Sequence, residues 1–228
     1  MLRPARRALS RAWETDRGLT FLFAILLVIL FVLPALRAPR PVTRLVFDLL
    51  FASLLVAGIR VASERRKVRG GLTAAVLLAV GLRAVAWATA SEAFDHAAVA
   101  AGLLSTVMLA AIMVARVFRA GTVTHDRILG AVAVYLLLGV TWAQAYGLLA
   151  GVVPGAFNPP TVGSATPYDF FYYSIVTLTT VGYGDITPLH PVARSLAMLE
   201  ALTGQLYPAI LLARLVSLEV TGRRSDGS

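Results

Sequence analysis

Apolar runs at about 19–36, 45–62, 72–90, 97–118, 128–152 and 192–216 are separated by short polar, arginine-bearing stretches. Each run is near or above the roughly 18–20 residues with which a helix crosses a bilayer core. The pattern predicts six crossings. A seventh apolar piece, about 167–179, falls short of the roughly 17 residues needed to span and is expected to be re-entrant. It opens on a helix-start signal: Thr166 as N-cap, Pro167 at the first helical position and Asp169 two residues on. It leads into the polar, glycine-bearing stretch TTVGYGDITP, Thr179 to Pro188.

Composition agrees with that picture and narrows it. The 228 residues are 58% hydrophobic and only 14% charged, too apolar for a soluble domain of this length. A formal net charge of +9 would raise nucleic acid as a partner if the bases formed a patch, but they sit between the apolar runs and report topology instead. Arg3, Arg6, Arg7, Arg11 and Arg17 precede the first run, Arg60, Arg65, Arg66, Lys67 and Arg69 follow the second, Arg116, Arg119 and Arg127 follow the fourth, and Arg214, Arg223 and Arg224 follow the sixth. The opposite side holds Arg37, Arg40, Arg44 and Arg194. The excess of bases on one side predicts a multi-pass protein of the cell membrane with both termini cytoplasmic and the glycine loop facing outward. The first run is expected to be a retained helix, longer than a signal-peptide core, and residues 2–13 have the two-faced pattern of an interfacial helix. There is no cysteine, which excludes disulfides and thiolate metal sites. His96, His125 and His190 lack metal-ligand spacing. No carboxylate pair, nucleophile with its base, or phosphate loop is present, so an enzyme is not expected, and no cofactor either.

Non-helical backbone at membrane depth is tolerated only inside protein or along a water-filled path. Gly182 and Gly184 can adopt backbone angles closed to other residues, which lets successive carbonyls point the same way and act as cation ligands. Four such loops around an axis would replace the hydration shell of a potassium ion, with the Thr180 hydroxyl at the inner end. The stretch from Thr180 to Gly184, with a short helix before it, Asp185 after it and apolar helices on both sides, resembles the selectivity filter of the potassium channel superfamily. The resemblance implies potassium ligands from Thr180, Val181, Gly182 and Tyr183, closure at Gly184, and support from Thr179, Tyr172 and Asp185, with a Tyr172–Asp185 hydrogen bond as in voltage-gated relatives. Phe170, Phe171, Tyr172 and Tyr173 are read as a packing cuff around the loop.

The segments Arg127–Leu149 and Glu200–Val216 are similar to those of small bacterial six-segment, one-pore-loop ion channels without a cytoplasmic regulatory domain. That layout implies an all-α membrane protein divided into a basic segment 1–18, a four-helix sensor-like unit 19–118, a pore unit 119–216 and a short tail 217–228. In the last run, Pro208 removes a helix hydrogen bond to the carbonyl of Gly204. A bend is expected there, with Gly204 a hinge by resemblance or a close-packing position by its size. Glu200 is an ionisable group inside an apolar helix, expected to bond the back of the re-entrant helix near Thr177 or Tyr173. Asp48 and Arg83 lie at matching depth in the second and third runs and are expected to form a structural ion pair. Ala97 to Val114 contains no basic residue, so the sensor-like unit is not expected to respond steeply to voltage. The function expected is a homotetrameric potassium-selective pore in contact with membrane lipid. The alternative is a non-conducting accessory or regulatory subunit.

Overall fold

Leu22, Leu26 and Ile29 recur at the spacing of one helix face, and all three are fully buried while Phe21 and Phe31 are exposed. They belong to α1, Gly18–Val32, whose last turn, Val28–Val32, widens into a π-helix. The computed structural model describes residues 18–32, 40–61, 66–118, 124–158 and 167–226. The expected interfacial helix at 2–13 and the N-cap at Thr166 lie outside the described residues.

The remaining elements are α2 (Arg40–Val61), α3 (Arg66–Thr89), α4 (Glu92–Val117), α5 (His125–Val152), β1 (Phe157–Asn158), α6 (Pro167–Leu178), β2 (Thr187–Pro188) and α7 (Pro191–Asp226). Nearly all of the described chain is helical. Four helices, Arg66–Thr89, Glu92–Val117, Arg127–Val152 and Pro191–Ser217, are long and apolar enough to cross a membrane. α1 spans only about 22 Å at ~1.5 Å per residue, and α2 interrupts its apolar run with Arg44, Asp48 and Arg60.

Several helices extend past the apolar runs. α4 begins at Glu92, where Glu92 and Asp95 occupy its first turn, because acidic groups at a helix N-terminus complement its dipole. α7 continues to Asp226, beyond the predicted limit at 216, and passes through Pro208 without ending.

Small residues set how closely the first helices pack. α4 buries Ala98, Ala101, Gly102, Ser105, Leu109, Ala110 and Met113 on one stripe, the kind of surface that lets apolar helices approach without a polar driving force. Gln144 of α5 donates to the Thr106 hydroxyl of α4 at 3.1 Å, a polar tie inside the bundle. α2 meets α6 through aromatic rings: Phe47 lies 5.3 Å from Phe171 and 6.2 Å from Tyr168, centroid to centroid.

The start of α2, the end of α3 and the start of α4 share a charged cluster. Asp95 accepts from Arg44 at 2.5 Å and from Arg83 at 2.6 Å. Asp48 forms an ion pair with Arg83, Oδ1 to Nε at 3.3 Å, and accepts a hydrogen bond from the Trp87 indole at 2.8 Å. Arg44 also lies over the Trp87 ring at 5.1 Å. Arg83 therefore divides its guanidinium between Asp48 and Asp95, where the sequence pairing considered Asp48 alone.

Candidate functional site

The loop after α6 is built by returning its own N–H groups to the helix it leaves. Thr180 N–H donates to the Thr177 carbonyl at 2.9 Å, and the N–H groups of Val181 and Gly182 both donate to the Val176 carbonyl, at 3.0 and 3.3 Å. The donors are thereby consumed on the protein side. Thr180, Gly182 and Gly184 have φ of 60°, 58° and 80°, whereas Val181 and Tyr183 between them do not turn positive. The backbone alternates in hand from residue to residue. Glycine supplies two of these positions without steric cost; threonine, β-branched, is strained at the third. Val181 is 53% and Tyr183 71% exposed, so the chain's own folds do not cover this loop.

Its C-terminal end is tied at Asp185. Tyr172 donates to Asp185 Oδ2 at 2.7 Å, and Ile186 N–H donates to Oδ1 at 3.0 Å. The hydrogen bond to the Asp185 carboxylate raises the Tyr172 phenol above its ordinary pKa, so the hydroxyl keeps its proton and remains a donor. Beyond it, β1 and β2 pair antiparallel, Phe157 opposite Pro188 and Asn158 opposite Thr187. Leu189 N–H donates to the Ala156 carbonyl at 2.9 Å and Arg194 Nε to the Pro188 carbonyl at 3.1 Å. A pair this short, with a proline in one strand, has no alternating pattern to announce it, and sequence reasoning missed it.

The other end of the loop rests on α5 and α7. Tyr135 donates to the Leu178 carbonyl at 3.1 Å. Gly204 of α7 packs against the same peptide: a methyl group there would overlap the Leu178 oxygen and sit 2.8 Å from its carbonyl carbon and 3.1 Å from its Cα. Next to it, Gln205 Nε2 donates to the Thr180 hydroxyl at 3.0 Å. Thr179 turns its hydroxyl back to the Ile175 carbonyl at 2.7 Å. Pro208, four residues past Gly204, lies within α7 and makes no side-chain hydrogen bond.

Glu200 is fully buried behind α6. Ser174 Oγ lies 2.5 Å from Glu200 Oε1 and 2.8 Å from the Gly139 carbonyl, and Tyr146 donates to Glu200 Oε2 at 2.5 Å. Ser174 has one proton for two acceptors. The accounts close when the carboxyl carries its proton: Glu200 donates to Ser174, Ser174 to Gly139 and Tyr146 to Glu200. The ion pairs of Asp48 and Asp95 lie in the α2–α4 cluster, away from Glu200, and a neutral carboxyl avoids an uncompensated buried charge. The partners are Ser174 and Tyr146 where the sequence pointed to Thr177 or Tyr173. Ser174 follows Tyr173 directly; Tyr146 lies 54 residues away on α5, beyond local reasoning.

Of the four aromatics at 170–173, Phe170, Phe171 and Tyr173 are buried and Tyr172 faces Asp185. Tyr173 meets Tyr146 at 5.0 Å and Phe157 at 5.6 Å, edge to face. Tyr135, Tyr146, Ser174 and Gln205 are site residues that sequence reading passed over. Each is a polar group in an apolar helix, and that signal marked Glu200 as well. Among the described residues there is no cluster of metal-ligating side chains; any cation held by this loop would be held by backbone and hydroxyl oxygens.

Residues 130–220 match the family model described as ion channel. The two pore potassium channel c of Oryza sativa subsp. japonica is 39% identical over 83 residues, covering 36% of this chain and 17% of that protein. The inward rectifier potassium channel Kirbac3.1 of Paramagnetospirillum magnetotacticum is 40% identical over 76 residues, 33% of this chain and 24% of that one. Protein LctB of Bacillus caldotenax is 32% identical over 123 residues, 50% of this chain and 91% of its own length. The matched stretch thus spans less than a quarter of the first two relatives.

Proposed function

We propose, starting from the fact that this chain belongs to the potassium channel superfamily, that it is one subunit of a homotetrameric, potassium-selective pore that conducts passively. The observation that carries the reading is the alternation of backbone hand at Thr180, Gly182 and Gly184. A strand points successive carbonyls to opposite sides; alternating hand brings them to one side, and the N–H groups of Thr180, Val181 and Gly182 are already returned to α6. The carbonyls of Thr180, Val181, Gly182 and Tyr183, with the Thr180 hydroxyl, then serve as potassium ligands, and Gly184 closes the outer end. α6 is the pore helix, with the negative end of its dipole directed at the inner mouth.

One loop cannot enclose an ion, and four around an axis can. The exposure of Val181 and Tyr183, together with that of Met198, Leu202, Leu206 and Ile210 on α7, supports a pore-lining face that neighbouring copies cover. The topology that fits is six crossings: α1 to α4 as a sensor-like unit, α5 and α7 around the pore helix, both termini cytoplasmic, in the cell membrane. α4 carries a base only in its last turn, Arg116, so gating by voltage is weak.

Flux into liposomes containing the purified protein tests the reading. Potassium uptake that barium blocks, with no comparable sodium uptake, is the expected result. Equal sodium and potassium flux would overturn the selective pore, and conduction only on addition of a second channel chain would establish the accessory role instead.

A further inference from the structure

Gln205 has no assigned part in the filter, yet its amide reaches a filter oxygen from outside the loop and pore helix. Three observations meet at its partner. Thr180 holds a left-handed φ of 60°, which a β-branched residue adopts only when its surroundings impose it. Its N–H is committed to the Thr177 carbonyl at 2.9 Å, which fixes the backbone but leaves the side chain to be set separately. Its hydroxyl accepts from Gln205 Nε2 at 3.0 Å. A hydroxyl oxygen has two lone pairs and one proton. With one lone pair on the Gln205 amide, the proton and the other lone pair are confined to the two remaining tetrahedral directions.

Gln205 is itself held in place. It follows Gly204, which lies so close to the Leu178 peptide that α7 cannot move toward α6, and Leu178 is steadied from the far side by Tyr135. The amide therefore projects from a backbone position that has contact on α6 and cannot drift inward.

We propose that Gln205 is a positioning residue for the innermost ion site: it orients the Thr180 hydroxyl toward the ion and makes occupancy of that site depend on where α7 stands. This rests on the filter reading of the loop. Any rotation or withdrawal of α7 at this level breaks the amide–hydroxyl bond, frees the Thr180 side chain and weakens the innermost site while leaving the carbonyl sites above it in place. Gln205 acts through Thr180 and does not itself bind the ion.

The test measures ion binding by the purified full chain in detergent, from the rise in melting temperature with barium, a doubly charged ion of potassium's size, against a choline background; this readout does not require an open gate. Gln205→Met keeps the length and flexibility of the side chain and loses the donor, and Gln205→Leu serves if the methionine variant does not assemble. The expected result is a weakening of barium binding by about tenfold, with the ion-free melting temperature within a few degrees of wild type. Thr180→Val removes the acceptor, and on that background Gln205→Met should add nothing, the signature of two groups acting through one bond. Unchanged barium affinity in Gln205→Met, or an equal further loss on the Thr180→Val background, would overturn the inference and leave the filter reading standing. A wild-type protein that neither barium nor potassium stabilises would overturn both.

Discussion

Removing the Glu200 carboxyl and replacing it with an amide should have very unequal consequences. Glu200→Ala leaves the Tyr146 hydroxyl buried without its acceptor, a cost of about 1–3 kcal/mol. It also empties the space of a fully buried side chain; at ~0.8 kcal/mol per lost buried carbon, with a cavity contribution added, that is about 1–2 kcal/mol more. Ser174 is spared, because it keeps the Gly139 carbonyl at 2.8 Å. The sum is about 2–5 kcal/mol, which for a chain of this size corresponds to a fall of roughly 5–15 °C in melting temperature. Glu200→Gln keeps the shape and the accounting: its NH₂ donates to Ser174, its carbonyl accepts from Tyr146, and Ser174 still donates to Gly139. Its melting temperature should lie within about 3 °C of wild type, on the same scale. The assay is thermal unfolding of the purified protein in detergent at constant potassium. If Gln costs as much as Ala, the carboxyl is needed as an anion and the neutral hydrogen-bond chain is wrong. If Ala costs nothing, the cluster does not hold α6 to α5 and α7. Tyr146→Phe supplies the cross-check, since combined with Glu200→Ala it should fall short of additivity by about 1 kcal/mol or more.

Gly204→Ala separates close packing from hinge flexibility: a methyl 2.8 Å from the Leu178 carbonyl carbon must push α7 off α6, so folding stability should fall by about 1–3 kcal/mol, whereas a hinge role alone would leave thermal stability intact and change only gating. Gly182→Ala and Gly184→Ala have open space around the added carbon but φ of 58° and 80°, so each should abolish selective potassium flux while membrane insertion, followed by fractionation, stays normal; wild-type selectivity in either would refute the filter assignment.

How much of this was legible in the sequence differs by element. Apolar runs of membrane length have one economical reading, and the helices lie over them, extended by polar first turns such as that of α4 that an apolarity criterion cannot see. The short helix α6 was visible because Pro167 and Asp169 mark its start. What stayed hidden depends on how helices cross. Glu200 announced itself as a buried ionisable group, but its partners follow from the register of α7 against α5 and α6, and the one on α5 is 54 residues distant. Arg83 was matched with Asp48 by depth alone, and Asp95 entered because the start of α4 turns it back toward α2. Gln205 was invisible for a different reason: a lone amide in an apolar helix has no meaning until its contact is known.

The Leu178 carbonyl is a fulcrum. Tyr135 bears on it from α5 and Gly204 from α7, and α7 runs unbroken from Pro191 to Asp226 across that point. At ~1.5 Å per residue the arm toward Pro191 is about 20 Å and the arm toward Asp226 about 33 Å. The unequal arms give the helix a gear ratio: a tilt of roughly 10° about the fulcrum carries the Asp226 end through about 6 Å, while Gln205, one residue from the pivot, moves by a few tenths of an ångström. Large displacements at the Asp226 end are thereby reduced to small ones at the Thr180 hydroxyl, on the scale over which a hydrogen bond is made or lost.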